Sequence, residues 1–187
     1  MEDSRIIDLY WQRNPDAITE TNDKYGDYCF NVADNILKNH EDAEECVNDT
    51  WLRAWNTIPP QRPVKFKLFL AKITRNLAFD RYRAKGAEKR GQGEIDLVMD
   101  ELSECIPSRN SVWTEYEGKE LAECIRNFAK TLPVRECNIL LRRYFYTESV
   151  SDIAKKYGMK ENNVTVILCR SRKKLKEYLM KEGYFGE

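Results

Sequence analysis

Residues 149–179, SVSDIAKKYGMKENNVTVILCRSRKKLKEYL, decide how the rest of the chain is read. Val150, Ile153, Ala154 and Tyr157 recur at helical spacing and stop at Gly158, the residue that most readily takes the left-handed conformation closing a helix. Ser149, three residues before Asp152, supplies an N-terminal cap with an acid at the third position. A longer helix starts near Glu161 and puts Val164, Leu168, Leu175 and Leu179 on one face. Two helices joined by a tight glycine-containing turn make a helix-turn-helix, which lays its second helix in the DNA major groove. With Val164 at zero on the helical wheel, Leu168, Ser171 and Leu175 fall within about 40° of it, and this is the expected buried face. Asn162, Val166, Cys169, Lys173 and Lys176 lie opposite, flanked by Thr165 and Arg170. Asn162 and Asn163 have the donor–acceptor pattern that reads adenine, and Val166 or Cys169 suits a thymine methyl. The run Arg170, Arg172, Lys173, Lys174, Lys176 suits phosphates better than bases. The alternative is a structural helical hairpin with a basic tail.

Upstream, helical periodicity dominates and strand-like alternation is absent. Ile18, Tyr25, Tyr28, Cys29, Val32, Ala33, Ile36 and Leu37 form a first apolar face. After a break at Lys38-Asn39-His40, Ala43, Cys46, Val47, Thr50, Trp51, Ala54, Trp55 and Ile58 form a second. Pro59-Pro60-Gln61-Arg62-Pro63 must be a loop, because proline cannot continue a helix. A third helix follows, with Phe66, Leu70, Ile73 and Leu77 as its expected core stripe. From Gly86 to about Gly118 the pattern dissolves among glycines and acids, the mark of a linker in which short helical turns fit. Leu121, Cys124, Ile125, Phe128 and Leu132, then Cys137, Leu140, Leu141, Tyr144 and Phe145, lead into the helix-turn-helix. The expected architecture is all-α: two small helical domains, 1–85 and 119–187, joined by an acidic linker, 86–118.

Composition narrows the function classes. The 187 residues are 42% hydrophobic and 33% charged, the balance of a globular chain. No apolar run reaches membrane-spanning length, and the acidic start MEDSRIIDLYWQRN carries no signal-peptide pattern, so a cytoplasmic protein is expected. Six cysteines without a CxxC pair and a single histidine, His40, leave little material for a zinc site or a disulfide framework, and reduced, half-buried thiols are expected. The formal net charge is zero, but it is strongly segregated: −8 over residues 1–60, +7 over 61–94, −6 over 95–124 and +7 over 125–187. Two basic segments set apart by acidic ones fit two polyanion-binding surfaces, or else solvated helix faces.

The first basic segment interleaves aromatics with cations. Lys72, Asn76, Phe79 and Arg83 cluster on one side of the third helix, with Arg75 and Tyr82 beside them. Cations tracking a backbone beside aromatic platforms are what unstacked bases require, and Asn76 is placed to contact an extruded base edge. Phe79 and Tyr82 equally suit packing against neighbouring helices. Asp80, nearer the core stripe, is better placed to pair with an arginine or orient Asn76. In the acidic second helix, Trp51 and Trp55 lie one turn apart, both core or one at an interface, while Asn48, Asp49 and Leu52 form a partner-facing strip.

Taken together, DAEECVNDTWLRAW (42–55), FKLFLAKITRNLAFDRYRAK (66–85) and RRYFYTESVSDIAKKYGMKENNVTVILCRSRKKLKEYL (142–179) resemble, in this order and spacing, an extracytoplasmic-function (ECF) sigma factor of bacterial RNA polymerase. The resemblance covers roughly residues 16–180. It implies helical sigma regions 2 and 4 and no catalysis in this chain; no cofactor or metal is expected. It also implies that Asn48, Asp49 and Leu52 bind the β′ coiled coil of the polymerase core. Lys72, Arg75, Asn76, Phe79 and Arg83, with the proline-rich loop, would hold a flipped base of the single-stranded −10 element. Asn162, Asn163, Thr165, Val166, Cys169, Arg170 and Lys173 would read the −35 duplex, and the acidic linker would thread the polymerase cleft. An anti-sigma factor is a possible further partner. The chain departs from the family pattern where Lys160 replaces the usual capping Ser, Asn163 the usual Thr, and Thr165 and Ile167 the frequent Lys and Arg. Cys46 stands for a common Leu and should be a small core residue.

Two other classes compete. A DNA-binding transcription factor with a helical effector domain would share the helix-turn-helix but gain nothing from a second basic-aromatic helix. An enzyme would need a phosphate loop, an acid pair or a nucleophile–base set, and none is visible.

Overall fold

The computed structural model describes residues 1–85, 94–106 and 115–185, and among these every regular element is a helix. The chain divides into two compact units, Met1–Arg90 and Gly91–Glu187.

In the first unit α1 (Asp3–Trp11), α2 (Asp16–Leu37), α3 (His40–Thr57) and α4 (Phe66–Lys85) enclose one core. The helix α1 adds to the sequence reading, which opened at Ile18. It buries Ile6, Ile7 and Tyr10, and the Tyr10 hydroxyl meets Thr21 Oγ1 at 3.0 Å in the interior. The break after α2 is narrower than expected. Lys38 turns left-handed, Asn39 caps α3 by accepting from the Asp42 amide at 2.9 Å, and His40 is already helical, not in a loop. Cys46 is a buried core residue, as expected.

The packed stripe of α4 is rotated from the expected one. Phe66, Leu70, Ala71, Thr74 and Ala78 are fully buried, whereas Ile73 and Leu77 are half-buried. Small side chains let α4 approach α2 and α3 closely. Thr74 serves this contact through its hydroxyl, 3.1 Å from Thr50 Oγ1, and its carbonyl, which accepts from Cys46 Sγ at 3.5 Å.

In the second unit α5 (Glu94–Ser103), α6 (Glu115–Thr131), α7 (Val134–Tyr144), α8 (Val150–Tyr157) and α9 (Glu161–Lys181) form a separate core. Here the expected linker needs correction. Its residues 94–106 carry α5 and a following turn whose Val98 and Cys105 are buried with Phe128, Tyr144 and Leu175. Its last residues begin α6 at Glu115. Residues 86–93 and 107–114, the rest of that linker, lie outside the described residues.

The α8–α9 pair follows the sequence closely. Ser149 Oγ accepts from the Asp152 amide at 3.1 Å, and Gly158 adopts φ +60°. The buried face of α9 is Val164, Leu168, Ser171, Leu175 and Leu179. Leu141, one of the apolar residues leading into the helix-turn-helix, is 40% exposed because α7 turns Ile139, Leu140, Arg143 and Tyr144 inward.

Candidate nucleic-acid interface

Three surfaces carry the residues singled out from the sequence, and each belongs to a single unit. On α4, Lys72, Asn76 and Arg83 are exposed, and Arg75 and Phe79 are half-buried. Buried Phe66, Leu70, Ala71, Thr74 and Ala78 hold the other side of the helix, so this face turns outward. The Arg75 guanidinium lies over the Phe79 ring, 4.5 Å from its centroid. Burial, and then the charge of Arg83, hold the Arg75 guanidinium below its ordinary pKa. Arginine stays charged at neutral pH all the same, so Arg75 keeps its positive charge beside the Phe79 ring. Asp80 reaches Arg83 at 3.7 Å, as its position suggested. Two apolar side chains not named from sequence are also exposed here: Leu68 on α4, 46% exposed, and Val64 in the preceding loop, 98% exposed. Leu68 sits one turn before Lys72 on the helix, which is the signal that could have found it.

On α3, Asn48 and Leu52 are exposed, with Leu52 at 59%. Asp49 is not simply outward-facing. Its carboxylate takes Arg81 Nη2, and Glu45 takes Arg81 Nη1 at 2.7 Å, so the three residues join α3 to α4. These hydrogen bonds, from Glu45 first and then Asp49, raise the Arg81 pKa. Trp51 is buried and Trp55 half-buried under Arg13, which donates to the Trp55 carbonyl at 2.6 Å. Both tryptophans thus serve the core.

On α9, Asn162, Asn163, Thr165, Val166, Cys169, Arg170 and Lys173 are all exposed. Val166, 38% exposed, is an aliphatic side chain turned to solvent among polar neighbours. Lys160 begins the helix with extended backbone and makes no side-chain cap. Thr165 Oγ1 instead donates back to the Glu161 carbonyl at 3.1 Å. Not every cation of the basic run is available to phosphate. Arg172 donates to Glu101 Oε2 at 3.1 Å, Lys174 lies 3.3 Å from Glu136, and Lys176 is half-buried against Phe185.

Four of the six cysteines are buried, Cys137 is half-buried and Cys169 is exposed. Burial pushes the Cys29 and Cys105 thiols up to about 11 and Cys46 up to about 12, which makes them unreactive core residues at neutral pH. Among the described residues no group of three His, Cys, Asp or Glu side chains is disposed to hold a metal ion, and no helix is long and apolar enough to cross a membrane.

Two helical units, each with an exposed basic helix face and one of them a helix-turn-helix, define a two-module all-helical protein. Residues 23–88 match Sigma-70 region 2, and residues 122–175 match Sigma-70, region 4. The chain is 22% identical over 160 residues to the ECF RNA polymerase sigma factor SigE of Mycolicibacterium smegmatis, covering 86% of this chain and 60% of that protein. The chain belongs to the sigma-70 family, as a sigma factor of the ECF type.

Proposed function

We propose that the chain is a promoter-specificity subunit of bacterial RNA polymerase, acting in the cytoplasm without chemistry of its own. Asn48, Leu52 and Asp49 on α3 dock on the β′ coiled coil of the core. Lys72, Arg75, Asn76, Phe79 and Arg83 on α4 hold the unstacked −10 strand, joined by Val64 and Leu68. Asn162, Asn163, Thr165, Val166, Cys169, Arg170 and Lys173 on α9 read the −35 duplex. An anti-sigma factor is a further partner to be sought.

The observation that carries this reading is the outward basic-aromatic face of α4, present on a different unit from the helix-turn-helix. A protein that reads only duplex DNA has no use for it. Opening a promoter costs a few kcal/mol for each unstacked base, roughly, and needs a surface that binds the open strand. The cations of α4 follow the backbone, and Phe79, backed by Arg75, is the stacking platform. Neither module alone makes many phosphate contacts, so the free chain binds DNA weakly and depends on the polymerase for affinity.

The test is run-off transcription by bacterial core polymerase on a library of promoter fragments, with and without the purified chain. Transcripts that start at a shared −35/−10 pattern are expected only when the chain is added. Duplex binding without any such transcripts would identify it as an ordinary DNA-binding regulator.

A further inference from the structure

The carboxylate of Glu101, on the helix expected to be linker, sits where α5, α7 and α9 meet. Its Oε1 accepts from Arg143 Nη2 at 2.7 Å, and its Oε2 accepts from the Tyr144 hydroxyl at 2.6 Å and from Arg172 Nη1 at 3.1 Å. Arg172 Nη1 also donates to the Tyr144 oxygen at 2.8 Å. Arg143 is 2% exposed, a guanidinium inside the core, and its Nη1 reaches on to the Glu148 carbonyl at 3.1 Å. Glu148 directly precedes Ser149, the cap of α8. From one carboxylate, one path of hydrogen bonds therefore runs to the start of the first helix of the helix-turn-helix, and another runs to the second helix.

We infer that Glu101 is a positioning residue for −35 recognition: it sets the angle and rotation of α9 relative to α8 through Arg143 and Arg172. The inference rests on the reading of α9 as the −35 helix. A buried cation is tolerated only when it is paired and hydrogen-bonded, so Arg143 holds its place because Glu101 is there. Arg172 lies on the side of α9 next to its buried stripe, about 80° from Val164 and about 120° from Val166. Its bond to Glu101 thus fixes the rotation of the helix without occupying the reading face. Base reading needs side chains held in register with base edges, and a helix free to roll loses that register. Arg172, drawn from the basic run as a phosphate contact, here serves the protein interior.

The test uses the full chain with core polymerase and a duplex library randomised over the −35 and −10 positions, comparing wild type with Glu101→Gln. The variant is expected to bind core and to enrich −10 sequences as wild type does, while its −35 enrichment falls about tenfold, the scale of one lost base contact. The slope of log affinity against log salt is expected to stay unchanged, because no phosphate contact is removed. Amide hydrogen exchange between Glu161 and Arg172 in the free chain is expected to quicken, with no DNA needed. Wild-type −35 enrichment together with wild-type exchange in the variant overturns the inference. So does tighter −35 binding with a steeper salt slope, which would mean that Glu101 withholds Arg172 from DNA. If Glu101→Gln fails to fold, Tyr144→Phe removes one hydroxyl from the cluster. A few-fold loss of −35 enrichment is then expected, and no loss overturns the inference. A wild-type holoenzyme that enriches no −35 motif counts against the proposed function instead, and the exchange comparison still tests Glu101.

Discussion

The carboxylate of Asp49 meets the Arg81 guanidinium, while Asn48 and Leu52, its neighbours on α3, face outward. Substitutions along this strip should therefore separate. Asn48→Ala and Leu52→Ala are expected to weaken core-polymerase binding several-fold and leave the thermal midpoint unchanged. Asp49→Ala should weaken binding and also lower the midpoint of the first unit by a few degrees, because it strips a partner from Arg81. Calorimetry beside a pull-down on core polymerase checks both, and equal midpoint losses for all three would show that the strip is structural. On α9, Val166 is the side chain whose exposure the fold itself does not need. Val166→Ala is expected to relax preference at one −35 base pair by about 1 kcal/mol, close to fivefold, and Asn162→Ala to relax a neighbouring one. Selection from randomised −35 duplexes by the holoenzyme reads both, and an unchanged motif removes these residues from the reading face.

How far a helix face can be read from sequence depends on how large its buried residues are. The stripe of α9 was legible because Val164, Leu168, Leu175 and Leu179 are bulky, and burying each is worth about 2 kcal/mol. In α4 the packed side beyond Phe66 and Leu70 is Ala71, Thr74 and Ala78, whose small size is what permits close approach, while Ile73 and Leu77 at its edge carried the stronger apolar signal. In α5, Val98 was masked by Asp96, Asp100 and Glu101 around it, and nothing in the pattern showed that Glu101 pairs with a buried arginine. The exposed residues of α9 proposed to read DNA were legible as what remained once the core face of α9 had been placed. The capping signals were legible too, and they carry a prediction. Ser149→Ala removes the α8 cap and Gly158→Ala forces an alanine to φ +60°, so each is expected to cost the second unit about 1 kcal/mol in urea unfolding. No neighbouring atom lies within 4 Å of a Cβ added at Gly158, so its cost is backbone strain alone. The junction of α5, α7 and α9 adds a pH dependence. Burial pushes the Glu101 carboxyl up, but hydrogen bonds from Arg143 and Tyr144 and the charges of Arg143 and Arg172 outweigh it, and its pKa falls below the ordinary 4.5. Glu104, 4.0 Å from Arg172, is a second acid at this junction. A depressed carboxylate stabilises the fold fully above its unfolded value and loses that contribution as pH falls through the folded one. The second unit should therefore lose thermal stability below about pH 4.5, and Glu101→Gln should flatten that part of the profile.

At the scale of the molecule, the zero net charge is repeated within each unit, where basic and acidic residues balance. Acidic α2 and α3 share a fold with basic α4, and acidic α5 shares one with the basic helix-turn-helix. Each acidic segment therefore has a structural partner in its own unit: Glu45 and Asp49 hold Arg81, and Glu101 holds Arg143 and Arg172. The acidity of residues 95–124 thus has a role inside the second unit, apart from any role as a tether. Truncation separates these roles. A fragment from residue 91 keeps α5, whereas one from residue 119 loses Val98, Cys105 and the half-buried Leu102 and Ile106 from the core, together with the Glu101 carboxylate. The lost apolar burial is worth about 4 kcal/mol, a large part of the 5 kcal/mol or so that holds a domain of this size. Arg143 would be left in the interior without its carboxylate, which adds to the loss. The longer fragment is expected to unfold in one cooperative transition by circular dichroism, and the shorter one to show no sharp transition. Two matching transitions would return residues 94–106 to the status of a connector, and the path from Glu101 to the recognition helix would no longer account for how α9 is held.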